Sequence, residues 1–116
     1  MKLSKMVLCI ALLALIGCAN SARLVDNSYK SLAVGKQTYE STMEIMAGLD
    51  MAPETIEKAV IWGTMYVLSH NTAVSALLVY EATQTEEAKQ ALTFRMSEAA
   101  TRLSDLLLYV HKEVKK

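Results

Sequence analysis

From Ala59 to Tyr80 the chain runs for 22 residues without an Asp, Glu, Lys or Arg. So long an uncharged stretch belongs either inside a helical domain, covered by neighbours, or in the hydrocarbon of a bilayer. Its centre argues against the bilayer: Ser69-His70-Asn71-Thr72 would sit at the depth where polar side chains cost most. The stretch therefore reads as a buried helix in contact with neighbours on both sides. Helix breakers are scarce, with one Pro and four Gly in 116 residues, and no strand-like alternation competes with the 3 and 4 spacing of apolar residues. The expected fold is all-α, an antiparallel up-down-up three-helix bundle.

Three helices are predicted, over about 28–47, 53–81 and 84–113. The first takes Asp26 or Asn27 as its cap and carries the stripe Tyr29, Leu32, Tyr39, Met43 and Met46, with Lys36 falling on it. Gly48 reads as its left-handed terminator. Pro53 suits the first turn of the second helix, and Met51 and Ile56 are spaced for a hydrophobic staple across that start. The second helix shows the stripe Ile56, Val60, Gly63, Val67, His70, Val74 and Leu77. Thr83-Gln84-Thr85-Glu86 matches the capping box ahead of a third stripe, Leu92, Met96, Ala99, Leu103, Leu106 and Val110, with Glu98 and Arg102 placed for an i,i+4 ion pair. No Gly or Pro separates the last two helices, so one long bent helix competes with a second hairpin; the apolar mass on both favours the hairpin.

The first eighteen residues are of another kind. Lys2 and Lys5 precede an apolar run from Met6 to Ile16 that is too short to span a bilayer, and small residues follow. These are the parts of a secretory signal peptide. Leu15-Ile16-Gly17-Cys18 resembles the lipobox of bacterial lipoproteins at all four positions. The resemblance implies signal-peptidase recognition through Leu15, Ile16 and Gly17 and removal of residues 1–17. It also implies a diacylglycerol on the Cys18 sulfur and an acyl chain such as palmitate on the new amino terminus. Ala19, where an Asp would favour the inner membrane, implies the outer membrane of a two-membrane cell, with the domain facing the periplasm. Competing readings are cleavage after Ser21 by ordinary signal peptidase and retention as an uncleaved anchor. Residues 18–27, small and polar, read as the lipidated terminus and a tether to the domain at 28–116.

Removing Lys2 and Lys5 with the leader leaves ten basic and twelve acidic residues, a formal charge of −2, which gives no basis for nucleic-acid binding. Cys9 leaves too, and Cys18 is taken by lipid, so no disulfide is expected and stability rests on helix packing. The chain lacks the Glu-x-x-His of di-iron bundles, His-Glu-x-x-His, a Cys pair, a glycine-rich phosphate loop and Gly-x-Ser-x-Gly. The expectation is a protein that is not an enzyme, with no catalytic residues, no metal and no cofactor beyond its lipid.

Two groups of residues invite a binding role. His70 lies on the apolar stripe of the second helix, and a buried imidazole needs partners. Counting back from each turn sets it opposite Ala33 and Gly35 and near Ser97 to Ala100, so His70, Asn71, Lys36 and Ser97 form a candidate pocket for a small ligand. The competing reading is a core histidine satisfied by a hydroxyl or backbone group. Leu106-Leu107-Leu108-Tyr109-Val110 covers more than one helical turn and cannot face a single core. Trp62, Leu107, Leu108 and Tyr109 are accordingly the candidate surface for an envelope partner or a second copy. The leading functional reading is a lipid-anchored structural or interaction protein of the cell envelope; the alternative is a small-ligand carrier with its pocket near His70. The terminal Lys116 adds a further similarity, to the outer-membrane lipoprotein family joined to peptidoglycan through its last lysine. That family is a single short helix forming a trimeric coiled coil, from which three helices depart.

Overall fold

A computed structural model describes residues 21–115. Leu15, Ile16, Gly17, Cys18 and Lys116 lie outside the described residues. The described residues form three helices: α1 (Ser21–Gly48), α2 (Pro53–Thr83) and α3 (Glu86–Val114). They pack up-down-up as the expected all-α three-helix bundle, with principal extents of 50 × 36 × 18 Å. The long dimension is that of one helix, since the 31 residues of α2 rise about 46 Å. α2 and α3 pack on each other far more extensively than α1 packs on either.

The start of α1 differs from expectation. Residues 21–27, read as tether, are helical, and Asp26 pairs with Lys30 at 3.0 Å across one turn instead of capping the helix. The sequence shows little sign of it because Arg23 and Asp26 flank the adjacent apolar residues, Leu24 and Val25, that pack on the core. Gly48 is not left-handed: no described glycine has positive φ. α1 instead closes through a tight turn in which Leu49 N–H donates to the Met46 carbonyl at 3.2 Å and Met51 N–H to the Leu49 carbonyl at 3.0 Å. Pro53 opens α2 as expected. Met51 packs on the core beside Met46, while Ile56 stays 40% exposed and contributes no buried staple.

Among the described residues the left-handed position is Gln84 (φ 51°, ψ 29°), whose N–H donates to the Tyr80 carbonyl at 2.7 Å and ends α2. Thr85 then caps α3, its hydroxyl accepting from Ala88 N–H at 3.1 Å. The cap is thus two residues later than the capping box placed it, because the Thr83 hydroxyl donates to the Val79 carbonyl within α2. A two-residue link between helix ends makes the hairpin, not a bent helix. Glu98 pairs with Arg95 at 3.3 Å, not with Arg102.

Two apolar clusters form the interior. The upper one joins Leu32 of α1, Tyr66, Ala73, Leu77 and Tyr80 of α2, and Ala88, Leu92 and Ala99 of α3. The lower one joins Met46, Ala59, Leu106 and Val110. On α2 the buried positions are Ala59, Gly63, Tyr66, Ser69, Ala73, Leu77 and Tyr80, a seam turned away from the predicted stripe so that the two share only Gly63 and Leu77. Small residues let the neighbouring helices approach closely, and the β-branched Val67 and Val74 pack from the flank.

Nor is α2 buried all round. Val60, Ile61, Leu68, Leu78 and Val79 are each about half exposed or more. Two neighbours cannot enclose a helix, so one side of an uncharged helix in a three-helix domain stays open. No described helix is long and apolar enough to cross a membrane.

Candidate functional site

At mid-height α1 and α2 meet through two tyrosines and two glycines. Tyr39 of α1 lies over Gly63 of α2, where an added Cβ would stand 2.9 Å from the ring. Tyr66 of α2 lies over Gly35 of α1, where an added Cβ would stand 2.9 Å from the hydroxyl. The rings tilt against each other with centroids 5.3 Å apart, a separation favourable for aromatic pairs. Each glycine removes the side chain that would hold the opposite tyrosine away. Lys36, expected on the α1 stripe, is exposed; Gly35 takes its place.

His70 stands one turn beyond Tyr66, half-buried, its Nδ1 3.4 Å from the Tyr66 hydroxyl. In the neutral tautomer protonated on Nε2, that nitrogen accepts a hydrogen bond from the tyrosine hydroxyl. Burial holds the imidazole below its usual pKa, and the Lys36 charge adds to the effect. Burial, and then the neighbouring Tyr39, pushes the Tyr66 phenol up, so it remains a donor. Asn71 and Ser97 are both exposed and do not close a chamber around His70. Of the candidate pocket, His70 and Lys36 interact electrostatically, while the hydrogen-bond partner is Tyr66. The cluster reads as a satisfied packing device: among the described residues no buried side-chain polar atom lacks a partner.

Concave space lies lower. A shallow cavity of about 480 Å³ opens between Thr42 and Ile45 of α1 and Ser104, Leu107, Leu108, His111 and Val114 of α3. Leu108 is 65% exposed and Ile45 60%. The candidate partner surface is therefore divided. Leu107 and Leu108 border this cavity, whereas Trp62 and Tyr109 pack on the lower cluster with Met46 and Leu106. A second cavity, of about 330 Å³, lies where Leu49 to Ala52 meet Glu113 and Val114, and sets the end of α3 beside the first turn. At the opposite end the Tyr29 hydroxyl donates to Glu81 Oε1 at 3.3 Å, joining the top of α1 to that of α2.

Ile45 and Val114 were not among the residues singled out from the sequence: Ile45 lies off the α1 stripe beside Met46, and Val114 stands between Glu113 and Lys115. The open side of α2 was legible in principle, because an uncharged helix with two neighbours has more apolar circumference than they can cover. Among the described residues no three His, Cys, Asp or Glu side chains group as metal ligands. The chain matches no family model, no curated protein and no solved structure.

Proposed function

We propose that this chain is a lipid-anchored structural or interaction protein of the cell envelope, held at a membrane through Cys18 and docking other protein through exposed apolar helix surface. The observation that carries the reading is Leu15-Ile16-Gly17-Cys18 at the end of a basic and then apolar leader. The helical start of α1 sharpens it. Only Ala19 and Asn20 separate Cys18 from Ser21, so the three steps between them reach about 10 Å at full extension. The anchor would hold the end of the bundle carrying the α2–α3 turn close to the headgroups, with no long tether. Ile45, Leu107, Leu108 and Val114 would then lie at the far end, roughly 40 Å away. In this reading the task of the domain is recruitment.

The test is the mass of the mature N-terminal peptide from membranes of the native host, for the wild type and Cys18→Ala. A di- or triacylated peptide beginning at Cys18, absent from the variant, is the expected result. An unmodified chain beginning near Ala22 would overturn the anchor. With the anchor established, photocrosslinking from Leu108 identifies what the far end contacts.

A further inference from the structure

We propose that Met43, Met46 and Met51 form an oxidant-sensitive latch: a modification site where peroxide converts thioethers to sulfoxides and thereby releases the lower half of α1 from the α2–α3 hairpin. The inference goes beyond the anchored reading and does not depend on it.

The methionines are unevenly placed. Met1 and Met6 belong to the leader, Met96 packs on the upper cluster and Met65 is half-buried on α2. Met43, Met46 and Met51 all share the lower cluster. Apart from Tyr39 at the crossing, every side chain that α1 and its following turn contribute to that cluster is a methionine, set against Ala59 and Trp62 of α2 and Leu106, Tyr109 and Val110 of α3. The turn that closes α1, with Leu49 N–H on the Met46 carbonyl and Met51 N–H on the Leu49 carbonyl, returns Met51 to the same group. A thioether suits such a place because it is apolar and its unbranched chain fills irregular gaps. It is also the one apolar side chain there that a mild oxidant converts directly into a polar one.

Access is graded. Met46 is 3% exposed, while Met43 and Met51 are half-buried. Met51 also lines the cavity of about 330 Å³ at the end of the bundle, which has ample room for hydrogen peroxide, a molecule little larger than water. Peroxide therefore meets Met51 and Met43 before Met46. The sulfur lone pair attacks one peroxide oxygen, so an S–O bond forms as the O–O bond breaks. Sulfur is oxidised by two electrons, and the departing hydroxide takes up the proton of the transferred hydroxyl and leaves as water. The sulfoxide oxygen is a strong acceptor inside an apolar cluster, and burying such a group without a donor is unfavourable. The modified side chains then favour water, and the lower half of α1 moves out with them. The upper half stays docked through Leu32 and the Tyr39–Tyr66 crossing. Release uncovers Leu106 and Val110 beside the exposed rim at Ile45 and Leu108. Methionine sulfoxide reductases, drawing two electrons from thiols, return the thioether and so reset the latch.

The experiment uses purified full chain carrying Cys9→Ala and Cys18→Ala, so that methionine supplies the reactive sulfur. It is treated with hydrogen peroxide, and sulfoxides are mapped by peptide mass spectrometry while hydrogen exchange is followed on the same samples. Sulfoxide is expected at Met51 and Met43 ahead of Met46. Amides over 40–50 should then exchange about ten-fold faster or more, those of Tyr66 to Leu77 should be unchanged, and reductase treatment should restore the starting pattern. Met43→Leu, Met46→Leu and Met51→Leu together keep the volume of the cluster and should abolish the response, although Met65 and Met96 remain. If circular dichroism shows that the triple variant does not fold, Met43→Leu with Met51→Leu carries the same test. Opening of α1 that persists in the leucine variant overturns the proposal. So does unchanged exchange over 40–50 in wild-type chain oxidised at Met43 and Met51, or exchange that rises equally along all three helices. Failure of peroxide to oxidise Met43 and Met51 where Met65 and Met96 react overturns it as well. None of these outcomes depends on lipid at Cys18, so loss of the anchored reading leaves the result standing.

Discussion

The α2–α3 hairpin and α1 are built on different terms. Along the hairpin Ala59, Ser69 and Ala73 of one helix let Leu92, Ala99 and Leu106 of the other approach, and Leu77, Leu92 and Leu106 are fully enclosed. α1 contributes two buried large apolar side chains, Leu32 and Met46, and is held between them by the Tyr39–Tyr66 crossing. Beside that crossing the interface with α3 opens into the cavity at Ile45 and Leu107. The hairpin is a continuous seam, and α1 is docked on it at a few points. Local stability should follow the same division, since an element with fewer buried contacts opens at lower free energy.

The strongest way to break that comparison is in the hairpin. Leu77→Ala or Leu106→Ala empties a site with no solvent exposure and is expected to cost about 3 kcal/mol, within the 2–5 usual for such truncations. Leu32→Ala, at 7% exposure on α1, should cost nearer ~2 kcal/mol. Urea denaturation followed by circular dichroism measures all three, and an equal or larger loss for Leu32→Ala would contradict the division. Native-state hydrogen exchange gives the same contrast without substitution: amides of α1 should exchange through a lower-energy opening than those of Tyr66 to Leu77.

The next effect isolates the crossing. Gly63→Ala gains helix propensity but drives a methyl against the Tyr39 ring, and overpacking should win by about 1–2 kcal/mol. Gly48→Ala meets nothing within 4 Å and has no positive φ to lose, so it should stabilise by about 0.5 kcal/mol. One substitution with opposite signs at two glycines is the sharpest check on the crossing, and a rise in melting temperature for both would remove it. At the hairpin turn, Gln84→Gly relieves a left-handed side chain and should add roughly 0.5–1 kcal/mol, seen as a higher denaturation midpoint.

The smallest effect is the pH dependence of the crossing. The His70 pKa is lowered in the folded chain by burial and by Lys36, so the unfolded chain binds its proton more readily. Stability from this group is fully present above the unfolded value near 6.5 and is lost as pH falls from there through the folded value. Between pH 7.5 and 5.0 the wild type should lose more melting temperature than His70→Gln. Identical profiles would show that His70 is not held neutral at the crossing.

The lower cavity has no comparable internal partner. Its rim of Ile45, Leu108 and Val114 is exposed apolar surface at the end of the bundle away from the start of α1. The open side of α2, with Val60, Ile61, Leu68, Leu78 and Val79, is the other such surface.

The three helices, the Pro53 start and the antiparallel order could be read from the chain, because periodicity, proline geometry and short links act within a few residues. Helix ends were less legible. Gly48 looked like a left-handed terminator and Thr83 like the cap, but α1 closes through the turn at Leu49 and Thr85 caps α3, since which residue ends a helix depends on how the next helix must leave. His70 was recognised as an oddity on an apolar stripe, while its partner Tyr66 was not: the hydroxyl lies on the same helix one turn away, but its position is set by Gly35 of α1.

By itself the sequence determined an all-α chain with an uncharged second helix, and the lipobox motif on which the envelope reading rests. Only the tertiary structure decided which side of that helix is inside. Hydrophobicity alone favoured the valines, yet the seam runs through Ala59, Gly63, Ser69 and Ala73, because burial between close-packed helices is governed by the shape of the partner. The same choice of seam leaves Val60, Ile61, Leu68, Leu78 and Val79 facing outward, since two neighbours can cover no more than part of a helix's circumference.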